Sequence, residues 1–231
     1  MPAPLSVIVP TLNAMPSLGP CLAALAEGLD AGLIGELIIS DGGSTDDIAA
    51  LAEAAGATLI TGPAGRGPQL AAGAAVARRD WLLFLHADTC LQPGWAAAVL
   101  QHVHKGPMTA GYFRLKFDVQ GFAPGLIAGG ANLRSHWLGL PFGDQGLLIS
   151  RALYDGIGGY PPLPLMEDVA IARQLRGRIR ALPATAQTSA ARYQRDGWLR
   201  RPLSNIWLLC RYLLGADPKT LAAAYRAPSA N

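Results

Sequence analysis

The segment DWLLFLHADT, residues 80–89, decides the fold of this chain. Residues 82–85 form a short apolar run bounded by polar residues, which is typical of a strand buried on both faces of a parallel sheet. His86 and Asp88 follow this run immediately. In open α/β sheets, ligands bind at the carboxyl ends of the strands. We therefore expect His86 and Asp88 to lie at a ligand-binding edge of a sheet.

The first half of the chain alternates strands with helices. Besides residues 80–87, strands are predicted at 5–10, 35–40 and 57–62, and helices at about 16–28, 44–55 and 70–79. This β-α-β-α-β-α-β order predicts a parallel sheet of the nucleotide-binding type. Asn13 is expected to cap the first helix, and Ser44 or Thr45 the second.

The second half has a less regular pattern. Strands are predicted at 108–119 and 178–183, and helices at about 93–103, 122–139 and 198–215, with a further helix that begins at Met166–Asp168. The tail, residues 217–231, is expected to fray. The fold class is α/β: a mostly parallel mixed central sheet flanked by helices, with a C-terminal helical extension, in a single domain over residues 1–231.

Composition limits the classes of function. Of the 231 residues, 51% are hydrophobic and 15% are charged, so the chain can bury a large core. A formal net charge of +3 is too small to indicate nucleic-acid binding. The three cysteines are odd in number and widely spaced, which argues against a disulfide framework or a structural zinc site. Without a basic leader or an apolar run of about 20 residues, a cytoplasmic protein is expected.

Polar residues follow the predicted strand ends at six positions, which are Thr11, Asn13, Asp41, Arg66, His86 and Asp88. A parallel sheet would place them along one rim. Taken singly, Asp41 could serve only the turn that follows its strand, but the whole set indicates a binding site. A dinucleotide fingerprint is excluded because residues 10–17, PTLNAMPS, contain no glycine, and the chain has no G-x-x-x-x-G-K-[ST] phosphate loop.

The chain resembles the family 2 glycosyltransferases of GT-A fold through five motifs in the family's order. These are VIVPTLN (7–13), IISDGGSTDD (38–47), GRGPQLAAGAAVA (65–77), LLFLHADT (82–89) and MEDVAIARQL (166–175). The resemblance covers about residues 4–182, and it is closest to small, stand-alone bacterial members whose metal motif reads H-A-D in place of D-x-D. It implies a nucleotide-donor half at about 4–106, an acceptor half at 107–197 and a helical tail at 198–231.

This resemblance implies a donor site on the rim. The positions that hold the nucleotide base and ribose in the family are matched by Pro10, Thr11, Asn13 and Asp41. An ionised carboxylate such as that of Asp41 is a suitable acceptor for a uracil N–H. Arg66 matches a segment that lies beside the base and the phosphates, so it is a further candidate for donor binding.

The resemblance also implies a metal ion. Asp88 matches the second acid of D-x-D, which ligates a divalent cation on the donor diphosphate. Mg²⁺ and Mn²⁺ prefer such oxygen ligands, and the cation neutralises charge on the leaving diphosphate. His86 departs from the pattern because it removes one carboxylate. Either Mn²⁺, which accepts imidazole better, becomes the more attractive ion, or His86 hydrogen-bonds a ribose hydroxyl of the donor.

The motif MEDV resembles the acidic pair that carries catalysis in this family. Asp168 would be the general base of an inverting transfer, and Glu167 would orient the sugar or the acceptor. A positioned acid–base group contributes roughly 10²–10⁴-fold to a rate. Alternatively, the two acids only favour the N-terminal end of a helix dipole, but the other motifs favour the catalytic interpretation.

Two further pairs of residues have open interpretations. Asp144 and Gln145, in the loop FGDQG, either contact the donor sugar or the acceptor, or only form a turn. Arg192 and Arg195 either bind the diphosphate from the C-terminal side or belong to a solvated basic face.

The last predicted helix carries an apolar stripe formed by Leu199, Leu203, Ile206, Cys210 and Leu213. Either this stripe packs on the domain, or the helix lies at a membrane surface, where neighbouring arginines would attract anionic lipid. The second alternative implies a lipid-linked acceptor.

We therefore expect an inverting glycosyltransferase. It would move a sugar from a nucleoside-diphosphate sugar, a UDP-sugar being the family's usual donor, to an acceptor hydroxyl, with Mn²⁺ or Mg²⁺ as cofactor and no nucleic-acid partner. One alternative is a sugar-phosphate nucleotidyltransferase, which would need a Gly-rich basic loop after the first strand. Another is a catalytically silent nucleotide-sugar-binding or membrane-associated protein, against which the intact MEDV motif argues.

Overall fold

The computed structural model describes residues 3–226. The strands are β1 (Leu5–Thr11), β2 (Ile34–Asp41), β3 (Thr58–Thr61), β4 (Trp81–Phe84), β5 (Thr89–Leu91), β6 (Ala110–Phe117), β7 (Leu147–Ser150) and β8 (Ile179–Thr188). The helices are α1 (Met15–Ala23), α2 (Ala26–Asp30), α3 (Ile48–Ala54), α4 (Arg66–Val76), α5 (Trp95–His104), α6 (Phe122–Leu138), α7 (Arg151–Gly156), α8 (Glu167–Gln174), α9 (Ala191–Asp196), α10 (Arg200–Leu213) and α11 (Pro218–Arg226). A 3₁₀ turn, Gly143–Gln145, precedes β7.

Within the described residues, eight strands form one sheet in the order β3-β2-β1-β4-β7-β6-β8-β5. The first four strands of the chain pair in parallel, as their buried apolar runs predict. β7 runs antiparallel to β4 and β6, β6 and β8 are parallel, and β5 is antiparallel to β8. The prediction of a mixed sheet flanked by helices, with a helical extension at the C-terminal end, is confirmed.

Apolar clusters cover both faces of the sheet. Because side chains alternate along a strand, Val7 and Val9 of β1 belong to one cluster with α1, α3 and α5, whereas Ile8 belongs to another with α4, α7 and α8. At Gly73 of α4, a Cβ would lie 2.4 Å from Ile8 Cγ2, so this glycine lets α4 pack directly on β1. This two-sided burial explains why β1 is apolar at successive positions.

Two element boundaries differ from the prediction and affect the site. β4 ends at Phe84, three residues before its predicted end, so His86 joins Asp88 in the loop that follows the strand. α4 begins at Arg66, four residues earlier than predicted, which places this arginine in the first turn of a helix. The short elements β5 and α9 are absent from the prediction.

The predicted helix caps are wrong. The N-cap of α1 is Ala14, and the Met15 amide donates to Asp46 Oδ2 at 2.9 Å, so the cap comes from a distant loop rather than from Asn13. α3 begins after Asp47, beyond both candidate caps. The loop after β2 therefore supplies the hydrogen-bond acceptor at the N-terminal end of α1. This contact joins the loop after β1 to the loop after β2.

The predicted fraying of the tail from residue 217 is wrong as well. α11 begins at Pro218, and its Leu221 is fully buried in one apolar cluster with Leu208 and Leu209 of α10. Residues 227–231 of the predicted tail lie outside the described residues.

The apolar stripe predicted for the last helix faces solvent. Leu199 is 80% exposed and Leu203 65%, whereas Leu208 and Leu209, which belong to the opposite side of α10, are buried. The helix does pack on the domain, as one of the two alternatives expected, but through Leu208 and Leu209 rather than through the predicted stripe. None of the helices within residues 3–226 combines the length and apolar composition needed to cross a membrane.

Candidate active site

The predicted rim lies at the carboxyl ends of β1, β2 and β4. The strand register places Thr11 opposite Asp41 and Ile8 opposite Phe84. The loops that follow these strands, together with the start of α4, therefore meet at one edge of the sheet. There the loops after β1 and β4 and the start of α4 line a cleft, as expected for the ligand-binding edge of an α/β sheet.

Asp41 organises the turn after β2. Its carboxylate accepts hydrogen bonds from Thr11 Oγ1 at 3.0 Å, from the Gly43 amide at 2.9 Å, and from both the amide and the hydroxyl of Ser44. Burial alone would raise the pKa of Asp41, but these hydrogen bonds outweigh burial and lower it. The carboxylate is ionised and 4% exposed, and it does not line the cleft.

Asn13 joins the same turn to the loop after β1. Its side-chain oxygen accepts a hydrogen bond from the Thr45 backbone amide at 2.9 Å, and its backbone amide donates one to Ser44 Oγ at 2.8 Å. The backbone of Asn13 has a φ of 51°, the left-handed conformation that asparagine tolerates better than most residues. Asn13 lines the cleft with Pro10 and Thr11, so three of the four predicted base and ribose residues border this space.

Sequence reasoning missed the role of Gln69. This side chain is 4% exposed, and its Nε2 donates to the backbone oxygens of Thr11 and Ser40, each at 2.7 Å. Its Oε1 accepts from the Gly65 amide at 3.2 Å. One amide therefore joins the ends of β1 and β2 to the start of α4. From sequence alone, a glutamine that supports the site from within a helix cannot be distinguished from a glutamine that is exposed to solvent.

The cleft has two adjoining compartments, of about 340 and 110 Å³. The larger lies beside the loop after β1 and the start of α4. The smaller lies beside the 3₁₀ turn, the start of α8, and α10. Four residues that the sequence singled out line both compartments, namely Arg66, His86, Asp88 and Arg192. The donor-side and catalytic-side candidates therefore face one continuous space.

His86 packs against the backbone of Gly143. A Cβ on Gly143 would lie 2.3 Å from His86 Nε2, so no side chain fits at position 143 with the imidazole in this place. Burial, followed by the Arg66 guanidinium, lowers the pKa of His86, although Asp88 opposes the shift. The imidazole is therefore neutral at pH 7 and can accept a hydrogen bond or ligate a metal ion.

Asp88 presents its carboxylate to both compartments. Its backbone oxygen accepts from the Ser189 amide at 3.1 Å, which ties this loop to the end of β8. In the described part of the chain, no group of three or more His, Cys, Asp or Glu side chains is placed to hold a metal ion. One carboxylate and one neutral imidazole thus suit a cation that takes most of its ligands from substrate phosphates and water, as Mg²⁺ commonly does.

Glu167 lies next to Asp168 but lines neither compartment, and it is almost completely buried. Its side chain is 1% exposed, and its Oε1 lies 3.3 Å from the Nε of Arg66, whose side chain is 33% exposed. Among the described residues, neither oxygen of Glu167 has a hydrogen-bond partner. Burial raises the pKa of Glu167, Arg66 opposes the shift, and Asp168 adds to it. Burial removes the hydration of this carboxylate, and the ion pair with Arg66 compensates for only part of that loss.

The stability of Glu167→Gln relative to wild type is expected to increase as the pH rises. Because the folded-state pKa of Glu167 is raised, its contribution to stability is fully present below its unfolded pKa of about 4.3 and is lost as the pH passes through the folded pKa. Glutamine cannot ionise, so between about pH 4 and pH 8 the difference in unfolding free energy should move in favour of the variant by on the order of 1 kcal/mol or more. The energy difference between protonated Glu167 and glutamine is the same at each pH and sets only the baseline. Urea unfolding across pH measures it, with the exposed Glu53→Gln as control. A constant difference across pH would contradict the prediction.

Asp168 and Asp144 face the smaller compartment together. The Asp168 Oδ2 accepts from the Gly143 amide at 2.9 Å, and its Oδ1 accepts from the Val169 amide at 2.8 Å, so two backbone groups orient this carboxylate. The Oδ1 of Asp144 is buried and has no partner within residues 3–226. Burial, with help from Asp168, raises the pKa of Asp144 to about 6, although Arg134 opposes the shift.

Besides Asp41 and Glu167, two further candidates, Gln145 and Arg195, line neither compartment. Gln145 is fully buried; its Oε1 accepts from Ser135 Oγ at 2.6 Å, and its Nε2 donates to the Phe113 oxygen at 3.2 Å. Arg195 pairs with Asp196 at 2.8 Å and is not among the residues that line either compartment. In this structure, Gln145 supports the 3₁₀ turn from inside, and Arg195 belongs to an exposed ion pair.

The C-terminal helices contribute residues that the sequence did not indicate. Arg201 and Asn205 of α10 line the smaller compartment, and Tyr225 of α11 lines both. Arg201 also pairs with Asp196 at 3.1 Å and donates to the Tyr225 hydroxyl. Arg201 and Asn205 are four residues apart, so they lie on the same side of α10, opposite to the exposed stripe. This spacing is the feature by which they could have been identified from the sequence.

The fold is similar to those of solved proteins of low sequence identity. A glucosyl-3-phosphoglycerate synthase from Mycobacterium tuberculosis, crystallised with Mn²⁺, UDP-glucose and phosphoglyceric acid, is 20% identical, with a TM-score of 0.56 over 80% of this chain and 70% of that chain. TarS 1–349 of S. aureus is 17% identical, with a TM-score of 0.62 over 93% of this chain and 66% of that chain. A mycobacterial protein is 22% identical, with a TM-score of 0.54 over 80% of this chain and 65% of that chain, so the chain spans slightly less than two thirds of the last two.

The family assignment comes from sequence. No curated protein matches the chain. Residues 6–145, well over half of the chain, match the family described as Glycosyl transferase family 2. This stretch contains the loops after β1 and β4 and the start of α4, which line the larger compartment, and the structural likeness agrees with it. The chain belongs to glycosyl transferase family 2.

Proposed function

We propose that this protein is an inverting glycosyltransferase that moves a sugar from a nucleoside-diphosphate sugar, most simply a UDP-sugar, to an acceptor hydroxyl. The observation that carries the proposal is the shared wall of the two compartments. Asp88 and His86 stand between the loop after β1 on one side and Asp168 on the other. A donor bound along this wall would present its anomeric carbon to an acceptor in the smaller compartment.

The larger compartment is proposed as the nucleotide site. Its volume of about 340 Å³ is within the range of small-molecule sites, and Thr11 and Asn13 offer groups for base and ribose. Asp41 would act through Thr11, because its carboxylate already accepts four hydrogen bonds and a direct contact with the base requires one of them to open. Support comes from the mycobacterial synthase, which was crystallised with UDP-glucose in a similar fold.

Cationic groups at the junction of the compartments suit a diphosphate. Arg66 and Arg192 line both compartments, so they can neutralise part of the charge that forms on the leaving group. A divalent cation, Mn²⁺ or Mg²⁺, would be held by Asp88, with the neutral His86 as a second ligand, and when bound it would supply further charge neutralisation. Because the H-A-D motif provides one carboxylate in place of two, more of the diphosphate charge would be neutralised by the arginines.

Asp168 is proposed as the general base. The carboxylate would take the proton of the acceptor hydroxyl as the hydroxyl oxygen attacks the anomeric carbon and the bond to the diphosphate breaks. The amides of Gly143 and Val169 fix its direction, which is what a positioned base requires. Glu167 would hold Arg66 in place behind it, at 3.3 Å. Asp144, at the same wall, is proposed to contact the sugar or the acceptor.

The cellular location and the halves of the chain are part of the same proposal. Cys21, Cys90 and Cys210 are all free, which suits a reducing compartment such as the cytoplasm. Residues 4–106 would form the donor half, residues 107–197 the acceptor half and residues 198–231 the helical tail, whose α10 and α11 border the smaller compartment. A sugar-phosphate nucleotidyltransferase remains the alternative enzyme, and pyrophosphate exchange into the nucleotide sugar would identify it.

Calorimetric titration of UDP, GDP and dTDP, each with and without Mn²⁺, tests the donor site directly. One nucleoside diphosphate is expected to bind in the micromolar range, about −8 kcal/mol, and more tightly with Mn²⁺. Inorganic diphosphate is the control, since it offers the phosphates without a base or ribose. Failure of all three nucleotides to bind in either condition would overturn the proposal and favour the catalytically silent alternative.

A further inference from the structure

The outer side of α10 is an unpartnered apolar surface. Leu199, Leu203, Ile206, Trp207, Leu213 and Leu214 form it, with exposures from 45% to 88%. At 100° per residue these positions fall within one third of the helix circumference, and Cys210, also exposed, lies among them. A stripe of this length costs hydration free energy in water, so it indicates an interaction surface rather than scattered apolar residues.

A second stripe runs along α6. Phe122, Leu126, Leu133 and Trp137 recur at helical spacing and are 59% to 87% exposed, whereas Pro124, Ala128 and Ser135 of the opposite side are buried. Both ends of this stripe carry an aromatic side chain, the residue type that is enriched at the membrane–water interface.

Packing connects the two helices. Ala128 and Ile127 of α6 belong to one apolar cluster with Trp198, which lies just before α10. Leu140, just after α6, belongs to another cluster with Leu208 of α10. One cluster thus joins α6 to the start of α10, a second joins the end of α6 to the middle of α10, and each helix leaves its apolar stripe exposed.

The charged residues beside the α10 stripe are arginines. Neither α6 nor α10 contains an Asp or a Glu, and the exposed Arg200 lies at one end of the α10 stripe while Arg211 lies near the other. Arg201 and Arg134 do not contribute to this charge, since Arg201 pairs with Asp196 on the inner side of α10 and Arg134 packs on the Phe142 ring. The Arg211 guanidinium lies 4.8 Å from the Trp207 ring centre, beside the exposed leucines. Apolar side chains interleaved with arginines and free of carboxylates complement an anionic lipid surface. A second copy of the same face would instead bring arginines against arginines.

We propose that the exposed stripes of α6 and α10 dock this protein on the surface of an anionic phospholipid bilayer. The inner side of α10 contributes Arg201 and Asn205 to the smaller compartment, so docking would place that compartment beside the lipid headgroups. The proposal goes beyond the transferase assignment and does not depend on it, because none of the stripe residues lines the cleft.

Vesicle flotation with the full chain tests the docking surface. Wild-type protein is expected to float with vesicles of phosphatidylcholine mixed with phosphatidylglycerol, to remain behind with pure phosphatidylcholine, and to be released by salt. The double variant Leu203→Glu/Ile206→Glu should reduce the bound fraction at least about tenfold. The control is Leu29→Glu, since Leu29 is 59% exposed on α2, away from both stripes. Circular dichroism confirms that each variant is folded.

Three results would overturn the proposal. The first is no flotation with either vesicle. The second is equal flotation with uncharged vesicles, because the charge argument would then be wrong. The third is a wild-type dimer in light scattering that Leu203→Glu/Ile206→Glu converts to a monomer, since the surface would then belong to a second copy. Nucleotide titration on the same samples is a separate readout, so loss of docking and loss of donor binding can be told apart.

Discussion

Asp168→Asn is expected to abolish sugar transfer while leaving donor binding intact. Asparagine keeps the size of the side chain but cannot take a proton from the acceptor hydroxyl, and loss of a positioned base lowers the rate by roughly 10²–10⁴-fold. The cost in stability should be only about 1 kcal/mol, because one of the two backbone amides on this carboxylate, those of Gly143 and Val169, keeps an oxygen acceptor.

The measurement pairs turnover of the nucleotide sugar with calorimetric titration of the nucleotide. Asp155→Asn, the same change at an exposed aspartate of α7, is the control and should leave both quantities unchanged. Full transfer by Asp168→Asn would show that another group takes the proton. Asp144, which shares the compartment and has a pKa raised to about 6, would then be examined next.

Asp88→Ala is expected to remove the metal-dependent part of donor affinity. In the described residues, the Asp88 carboxylate accepts no hydrogen bond from the protein, so its loss should leave the fold unchanged and act only on ligands. With Mn²⁺ present, the nucleotide affinity should fall by at least about 100-fold, the upper end of the loss caused by removing even the outer partners of a metal site. With a chelator present, wild type and variant should bind alike through Arg66 and Arg192.

Asp80→Ala is the matched control for this variant. Asp80 lies just before β4, so it occupies the opposite end of the strand from Asp88, and its side chain is exposed. The control should retain wild-type affinity in both conditions. Equal affinity of Asp88→Ala and wild type in the presence of Mn²⁺ would show that arginines alone bind the diphosphate.

Much of the parallel half of the fold could be predicted from sequence. The strands β1, β2 and β4 are short apolar runs buried on both faces, and this burial leaves a pattern that any solvent-facing strand lacks. The position of the rim could be predicted from these strands, because the carboxyl ends of parallel strands lie at the same edge of a sheet. Thr11, Asn13, Arg66, His86 and Asp88 all border the cleft as this argument requires.

The rest of the fold could not be predicted, for identifiable reasons. β8 extends five residues beyond its predicted end at residue 183, because Pro183 lies at a register shift in the pairing with β6, where a proline is tolerated inside a strand. β5 has only three residues, too few for any periodicity. The outward direction of the α10 stripe depends on what α10 packs against, and Leu208 and Leu209 satisfy that packing from the other side.

The site also depends on buried amides that sequence does not reveal. Gln69 and Gln145 are both almost inaccessible; Gln69 donates to the backbone oxygens of Thr11 and Ser40, and Gln145 joins the Phe113 oxygen to the Ser135 hydroxyl. A glutamine in a loop or helix is usually exposed, so only the three-dimensional neighbours identify these two as supports of the cleft. This is why Gln145 was a ligand candidate by sequence and Gln69 was none.

The left-handed turn at Met166, with a φ of 66°, makes the start of α8 dependent on α10 and α11. A non-glycine residue in this conformation costs about 1 kcal/mol or more, and Met166 packs in the apolar cluster that also contains Leu209 and Leu221. Folding of the C-terminal helices and the orientation of Glu167 and Asp168 are therefore expected to be thermodynamically linked. During synthesis, the acidic pair leaves the ribosome before Leu209 and Leu221, so we expect the proposed catalytic geometry to form only after α10 and α11 have folded.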